Sequence, residues 1–194
     1  KVNKGELTPM FFGSAMTNFG VRGFLEEYLR LAPAPQPRMS SDGLISPEDE
    51  KFSGFIFKIQ ANMNPAHHDR LSFIRICSGK FERGMSVYHM QGGKAVKLSQ
   101  PQQFLAQDRQ IIDTAYPGDI VGLFGPGIFG IGDTLCMPSH KFKFADFPVF
   151  PPERFARVSA KDTMKRKQFV KGIMQLTQEG AVQLFQQAGA GMES

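Results

Sequence analysis

The stretch Arg70-Leu-Ser-Phe-Ile-Arg-Ile-Cys-Ser-Gly-Lys-Phe-Glu-Arg-Gly84 indicates the fold of the central part of this chain. Its first eight residues form a β-like run, and Ser78-Gly79 then supplies turn chemistry. Similar runs lie on both sides, separated by turns that contain Gly or Pro: 52–60, 85–90, 95–98, 120–124 and 134–137. The segment 100–110 is read either as a loop or as a short strand at 102–105. We therefore predict an antiparallel β-barrel over residues 51–147.

The composition is that of an ordinary globular protein. The 194 residues are 41% hydrophobic and 21% charged, which argues against disorder over the whole chain. No run approaches the roughly 18 apolar residues of a membrane span. Two cysteines, Cys77 and Cys136, do not make a disulfide framework, which favours the cytoplasm. The 33 Gly and Pro residues and the 19 Phe residues suggest short strands and tight turns around an aromatic core.

Positive charge is concentrated in the later two-thirds of the chain. The net charge is +5, to which residues 1–50 contribute −2, residues 51–147 contribute +4 and residues 148–194 contribute +3. This distribution is compatible with a polyanionic partner such as RNA. A basic surface without any nucleic-acid partner is the alternative.

Residues 1–32 have the pattern of a strand, a glycine-containing loop and a helix. The apolar run 7–12 leads into Gly13-Ser14-Ala15, and apolar residues then recur at helical spacing over 21–32. A strand followed by an amphipathic helix is half of an α/β repeat and needs a partner sheet. Residues 33–50 are polar and rich in proline, and we expect a linker there.

Residues 148–194 have the pattern of the start of a further domain. The runs 150–158 and 181–185 have strand character, and a helix is expected over about 162–175. Strand, helix and strand together are too little to enclose a core. With the opening Lys1, which is not a Met, this pattern leads us to expect a piece of a longer protein.

Two short motifs suggest ligand sites that their context does not support. Gly125-Pro-Gly-Ile-Phe-Gly130 matches the G-x-G-x-x-G of dinucleotide sites, but we expect a strand after it rather than the helix that such a site needs. A hairpin loop is the favoured interpretation. His67-His68-Asp69 resembles a metal cluster, but no second ligand set follows at suitable spacing, and His89 and His140 are isolated. We predict no metal site.

Longer strings resemble one family, the translational GTPases. Phe12-Gly-Ser-Ala-Met-Thr-Asn-Phe-Gly-Val21 is similar to the last nucleotide-binding loop of these proteins and the start of the helix after it. The stretch quoted first, together with Ala115-Tyr-Pro-Gly-Asp-Ile-Val-Gly122 and Gly132-Asp-Thr-Leu135, resembles their second domain. Leu176-Thr-Gln-Glu-Gly-Ala-Val-Gln-Leu-Phe185 is similar to the bacterial peptide chain release factor 3 branch and usually differs in elongation factor G.

The resemblance implies a mainly β fold, with a barrel like the second domain of elongation factor Tu between two partial domains. Residues 1–32 would be the C-terminal piece of an α/β GTPase domain, and residues 33–50 a linker. Residues 51–147 would be the barrel, and residues 148–194 the N-terminal part of an α+β third domain. The implied protein is a cytoplasmic, ribosome-associated GTPase of translation termination that promotes release and recycling of class I release factors. Neither a membrane nor DNA is expected as a partner.

The resemblance also implies two sets of site residues. Gly13, Ser14 and Ala15 match the loop in which a backbone amide, here that of Ala15, bonds guanine O6. An N–H can pair with that oxygen but not with the exocyclic amine of adenine. In the family, the barrel contacts small-subunit ribosomal RNA and relays the nucleotide state between domains. The hypothetical phosphate contacts are Arg70, Lys80 and Arg83, for which solvated turn charge is the alternative.

The remainder of a GTPase site is missing. Neither the phosphate loop G-x-x-x-x-G-K-[ST] nor Asn-Lys-x-Asp occurs in the 194 residues, and residues 1–32 carry no Asp-x-x-Gly switch. Phosphoryl transfer needs backbone amides, a lysine and Mg²⁺ around the phosphates. We therefore expect no catalytic residue here and no hydrolysis by this chain. The full-length protein would use GTP or GDP with magnesium.

Two alternatives stay open. The barrel could belong to another translational GTPase such as elongation factor G, or the chain could be a free-standing RNA-binding β-barrel. The second alternative predicts surface aromatic residues interleaved with basic ones. The chain has three Tyr and no Trp, and most of its Phe residues fall at positions that are expected to face the core, which counts against this alternative. A dinucleotide-dependent enzyme would rest on the glycine motif at 125–130 alone.

Overall fold

The strand that begins at Arg70 is central in an antiparallel sheet, as its apolar character predicts. The structure, a computed structural model, describes residues 2, 6–61, 70–98, 101–105, 108–125, 127–148 and 150–185. Its elements are, in chain order, α1 (Val21–Leu31), β1 (Arg38–Ser40), β2 (Gly43–Ile45), β3 (Ser53–Ala61), β4 (Arg70–Ser78), β5 (Phe81–Glu82), β6 (Ser86–His89), β7 (Lys94–Lys97), β8 (Pro101–Leu105), β9 (Asp108–Ile111), β10 (Thr114–Ala115), β11 (Ile120–Gly125), β12 (Thr134–Cys136) and α2 (Arg166–Gln178).

The main sheet has eight antiparallel strands in the order β7-β6-β12-β3-β4-β11-β8-β9. A separate two-residue ladder joins β5 to β10. The turn after β5 makes backbone hydrogen bonds to two other segments. Arg83 N–H donates to Asp113 O and Gly84 N–H donates to Leu98 O, both at 2.8 Å. Because Leu98 follows β7 and Asp113 follows β9, these bonds draw the two edges of the sheet towards each other. The sheet is therefore curled in the manner of a barrel.

The concave face of this sheet encloses the main core. Alternate residues of β4 point inward, so that Ile74 and Ile76 are buried while Arg75 between them is exposed. The other strands contribute aliphatic and phenylalanine side chains on the same face of the sheet. Further buried members of this core are Phe52, Ile56, Ile59, Phe81, Val87, Leu98, Ala115, Val121, Leu123, Phe129 and Leu135.

A second core lies on the convex face and explains much of the phenylalanine content. It consists of Ile45, Phe55, Cys136, Phe142 and Phe144. The hairpin β1–β2 covers this face, since Ser41 N–H donates to Lys143 O at 2.7 Å and Ala145 N–H donates to Met39 O at 3.1 Å.

Arg38 anchors the hairpin on this second core through ring contacts. The carbon of its guanidinium group lies 3.8 Å from the ring centroid of Phe55. It lies 5.4 Å and 5.6 Å from the ring centroids of Phe147 and Phe144. A guanidinium group over aromatic faces is attracted by the ring quadrupoles while its alkyl stem fills apolar space.

The structure agrees with the predicted barrel strands and differs from the predicted linker. Each predicted β run appears as a strand with ends within one residue of the prediction, and the segment 102–105 belongs to a strand. Within 33–50, however, β1 and β2 form a paired hairpin. Two strands of three residues in a polar, Pro-rich segment carry no periodic signal of their own, and the segment that they pack against lies about a hundred residues away.

The flanking runs 7–12, 150–158 and 181–185 were predicted as strands and have no regular secondary structure among their described residues. A strand needs a neighbour for its backbone groups, and no described residue pairs with these runs. The helices do form: α1 ends at Leu31 as expected, and α2 extends to Gln178 after a 3-10 turn at Thr163–Lys165. No helix in the described part of the chain is long and apolar enough to cross a membrane.

Internal packing divides the chain at one place. Residues 1–36 form one compact unit and residues 37–194 another. The α2 segment is thus grouped with the barrel. The four regions 1–32, 33–50, 51–147 and 148–194 remain a prediction.

Phe144→Ala should destabilise the protein strongly. Phe144 is 3% exposed and packs edge-on against Phe142 at 5.2 Å between ring centroids. Loss of a buried phenylalanine ring costs about 3–5 kcal/mol of the free energy of unfolding, measurable by urea denaturation followed by circular dichroism. The matched control is Phe150→Ala, whose ring is 79% exposed and whose loss should change that free energy by less than about 0.5 kcal/mol. Equally small effects for both variants would show that the convex face has no real core.

Candidate functional site

The predicted nucleotide loop is a tight turn at the start of α1. Ser14 N–H donates to Phe19 O at 2.9 Å, so that the chain folds back on itself over residues 14–19. Glycine is required both in the segment that enters this turn and in the segment that leaves it. A methyl group on Gly13 would lie 2.9 Å from Phe19 O, and one on Gly20, where φ is +72°, would lie 2.6 Å from Phe12 O. The two segments are therefore closer together than side chains would permit.

Gly13, Ser14 and Ala15 all line one pocket, which has a volume of about 420 Å³. This volume is within the range of roughly 300–1,000 Å³ that is typical of small-molecule sites. Within the described residues, nothing accepts a hydrogen bond from the Ala15 amide, so this N–H can donate to a ligand carbonyl. The other lining residues are Pro9, Met10, Phe11, Phe12, Gly20, Val21 and Phe24.

No group suited to phosphate lies beside this pocket in the described part of residues 1–36. The cations there are Arg22 and Arg30, and neither lines the pocket. Arg22 pairs with Glu26 at 2.8 Å and Arg30 with Glu27 at 2.6 Å. The pocket can thus offer an amide to the edge of a base, but it has no charge to bind a triphosphate.

The three predicted RNA contacts are separated by the length of β4. Lys80 and Arg83 lie just after its C-terminal end, whereas Arg70 begins it, about 25 Å away for a strand of this length. Lys80 Nζ lies 2.9 Å from Glu82 Oε1, and this hydrogen bond raises the pKa of Lys80. Arg83 Nη1 lies 3.5 Å from Asp113 Oδ1. Lys80 and Arg83 therefore share one surface, and Arg70 is not part of it.

Arg70 has a different environment from the other two. Its guanidinium group donates a hydrogen bond to the side-chain oxygen of Gln178, at the end of α2. A methyl group on Gly127 would lie 2.9 Å from Arg70 Nη1, which shows how closely the guanidinium group packs on the backbone there. The position of Arg70 indicates a contact between the barrel and α2.

A basic surface that the sequence analysis treated as net charge alone lies in and before α2. Seven cations over residues 154–171 are exposed, and among the described residues none of them has a carboxylate partner. Basic side chains occupy the first turn of α2, where the helix dipole disfavours them. The residues are Arg154, Arg157, Lys161, Lys165, Arg166, Lys167 and Lys171.

The glycine motif at 125–130 lies between two strands. The loop after β11 leads through a turn into β12, and no helix follows Gly130. No group of three or more potential metal ligands occurs in the described ranges, and His67-His68-Asp69 lies outside them. His89, which the sequence analysis treated as isolated, instead lies with Nε2 2.6 Å from Asp133 Oδ2. The separation of 44 positions between these partners explains why no sequence pattern indicated the pair.

Comparison with known proteins first gives the class of domain. Residues 51–138 match the family model "Elongation factor G domain 2". Residues 144–194 match the family model "Class II release factor RF3, C-terminal domain". The curled sheet of this chain is thus the β-barrel second domain of a translation factor, as the resemblance implied.

Curated relatives then give the family. Peptide chain release factor 3 of Symbiobacterium thermophilum is 60% identical over 185 residues, which cover 95% of this chain and 35% of that protein. The corresponding protein of Ligilactobacillus salivarius is 54% identical over 192 residues, 98% of this chain and 37% of that protein. The chain belongs to the peptide chain release factor 3 family. It spans about a third of the length of the curated relatives that it matches.

Cys77 should be almost unreactive in the folded protein. Burial raises the pKa of its thiol from 9.0 to about 11, although the positive charges of Arg38 and Arg75 lower it. Because the thiolate is the nucleophile, alkylation by iodoacetamide at pH 8 should be about a hundredfold slower than in urea and should accelerate as the pH rises towards 11. Mass spectrometry of the alkylated peptide measures this rate. Equal rates in the folded and the unfolded protein would contradict the burial of this thiol.

Proposed function

We propose that this chain is part of a ribosome-associated GTPase of translation termination, which promotes the release and recycling of class I release factors. The observation that carries the proposal is the 60% identity over 95% of the chain to a peptide chain release factor 3. The full-length protein would act in the cytoplasm, bind GTP or GDP with magnesium, and hydrolyse GTP. This chain would supply the ribosome-facing barrel and the interdomain relay rather than hydrolysis.

The proposed domain organisation assigns residues 1–32 to the end of the GTPase domain and residues 148–194 to the start of the third domain. Support for the first assignment comes from α1, because several of its large apolar side chains are exposed and lack a covering surface in the described part of this chain. Phe24, Leu25, Tyr28 and Leu29 are 43–79% exposed. In the full-length protein this face would pack on the sheet of the GTPase domain.

The proposed nucleotide contact is the Ala15 amide, which would donate to guanine O6 and so select guanine over adenine. A single hydrogen bond of this kind contributes about 1 kcal/mol net. Most of the affinity for GTP would come from phosphate and magnesium contacts elsewhere in the full-length protein. This chain alone should therefore bind GTP very weakly.

The proposed ribosomal contact of the barrel uses Lys80 and Arg83. Both side chains are exposed, and each is paired with a carboxylate. An exposed pair of this kind is worth only about 0–1 kcal/mol, so that a phosphate of ribosomal RNA can replace the carboxylate. The exposed cations of residues 154–171 would add to the attraction of a polyanion.

Ala15→Pro in the full-length protein should remove the preference for O6, because proline has no N–H to donate. The affinity for GTP should fall about fivefold, the equivalent of one hydrogen bond. The affinity for the 2-aminopurine ribonucleoside triphosphate, which lacks O6, should stay unchanged. Ala34→Pro, between Pro33 and Pro35, is the matched control. An equal loss of affinity for both nucleotides would mean that the loop is distorted and that the Ala15 amide does not read O6.

Lys80→Glu with Arg83→Glu in the full-length protein should weaken binding to ribosomes at low salt. Each lost phosphate contact should also reduce the slope of log affinity against log salt by about 0.7–0.9. Lys94→Glu with Lys143→Glu, which changes two other exposed lysines, is the control of equal net charge. Unchanged ribosome affinity of the double variant at low salt would contradict the proposed contact. Tight binding of single-stranded RNA by this chain alone would favour the free-standing RNA-binding barrel instead.

A further inference from the structure

A buried histidine–carboxylate pair holds the loop between β11 and β12. The side chains of His89 and Asp133 are 3% and 12% exposed, and His89 Nε2 lies 2.6 Å from Asp133 Oδ2. The same carboxylate oxygen accepts the N–H of Gly130 at 2.6 Å. The His89 ring also packs edge-on against Phe129, with 5.3 Å between the centroids. We call residues 127–133 the β11–β12 loop.

The hydrogen bonds around His89 define its tautomer. Within the described residues, His89 Nδ1 has no hydrogen-bond partner. A neutral imidazole carries one N–H, and the proton on Nε2 is the one that can donate to the Asp133 carboxylate. Removal of this donor would leave a buried carboxylate with fewer partners, which is costly in an apolar environment.

Further bonds fix the base of the β11–β12 loop on the barrel. The Gln91 side chain donates to Gly132 O at 3.2 Å and accepts the N–H of Thr134 at 2.8 Å. On the other side, Gly132 N–H donates to Ile56 O at 2.7 Å and Ile56 N–H to Asp133 O at 2.8 Å. The loop is thus tied to β3 and to the turn after β6.

The outer side of the same loop contacts the C-terminal end of α2. A methyl group on Gly180, which has φ +72° and ends the helix, would lie 2.8 Å from Ile131 Cδ1. Arg70 packs on Gly127 of the loop and donates to Gln178 of the helix. Gly180, two residues after α2, therefore contacts the loop directly through Ile131, and Gln178 at the end of α2 contacts it indirectly through Arg70.

We propose that the His89–Asp133 pair is a positioning device, which fixes the β11–β12 loop as the seat for the C-terminal end of α2. Displacement of α2 from the barrel then requires either the loss of the Ile131 and Arg70 contacts or the rupture of a buried pair. Because rupture of the His89–Asp133 pair is costly, the β11–β12 loop stays attached to the barrel when α2 is displaced. A role of this seat in the interdomain relay would rest on the proposed function, whereas the seat itself does not depend on ribosomes or nucleotide.

Hydrogen exchange of this chain, without ribosomes or nucleotide, tests the device. His89→Leu removes the donor, and Ile131→Ala removes the seat but leaves the pair intact. Both should accelerate amide exchange in α2 by about tenfold while amides of β4 keep their protection. His89→Gln should restore slow exchange, because its amide N–H can donate to Asp133 in place of Nε2. The matched control is Lys94→Ala, because Lys94 is exposed on β7 and lies opposite His89 in the β6–β7 ladder.

The outcomes separate a positioning role from a general effect on stability. Unchanged α2 exchange in His89→Leu or in Ile131→Ala would overturn the proposal, and so would equal acceleration in α2 and in β4. Should His89→Leu fail to fold, the double variant His89→Leu with Asp133→Asn replaces it and is judged by the same criteria: it leaves no buried carboxylate without a donor, and the amide oxygen at position 133 can still accept the Gly130 N–H. A failure here would leave the ribosome test of Lys80 and Arg83 unaffected, so that the seat and the proposed function can fail separately.

Discussion

The pairing of β3 with β4 is the constraint on which the rest of the described barrel depends. The two strands lie antiparallel over nearly their whole length, from Ser53 opposite Ser78 to Ala61 opposite Arg70. Gly54 permits their close approach, since a methyl group there would lie 2.8 Å from both Arg75 O and Ile74 Cδ1. Side chains of this ladder enter the concave core on one face and the phenylalanine-rich core on the other.

The same ladder positions the candidate contact surfaces. The N-terminal end of β4 places Arg70 beside α2, and its C-terminal end leads into the turn that carries Lys80 and Arg83. In β3, Ile56 holds the β11–β12 loop through its backbone, while the neighbouring Phe55 receives the Arg38 guanidinium group. Contacts with the β11–β12 loop and with the hairpin therefore depend on adjacent residues of one strand. This arrangement suits a barrel that we propose to relay changes between domains.

The sequence was sufficient where the signal was local. Apolar runs between Gly- and Pro-containing turns predicted the barrel strands, because both the strand and its boundary are encoded within a few residues. The hairpin β1–β2 was missed because its support comes from residues 141–147. The pair of His89 with Asp133 was missed for the same reason, since its members are remote in sequence. The flanking runs have strand character without a partner, and pairing rather than composition decides whether a strand forms. For the Gly13-Ser14-Ala15 loop, the tight turn follows from glycine geometry, whereas the guanine contact that we propose for it rests on family resemblance alone.

Our main proposal is that this chain belongs to a GTPase that removes class I release factors from the ribosome. It is tested most directly by the dissociation rate of a fluorescent class I release factor from ribosomes that have released their peptide, with the full-length protein carrying these residues added together with GTP. We expect that dissociation accelerates with GTP and that this chain alone, without a phosphate loop, has no such effect. Unchanged dissociation with a full-length protein that binds ribosomes and hydrolyses GTP would contradict it.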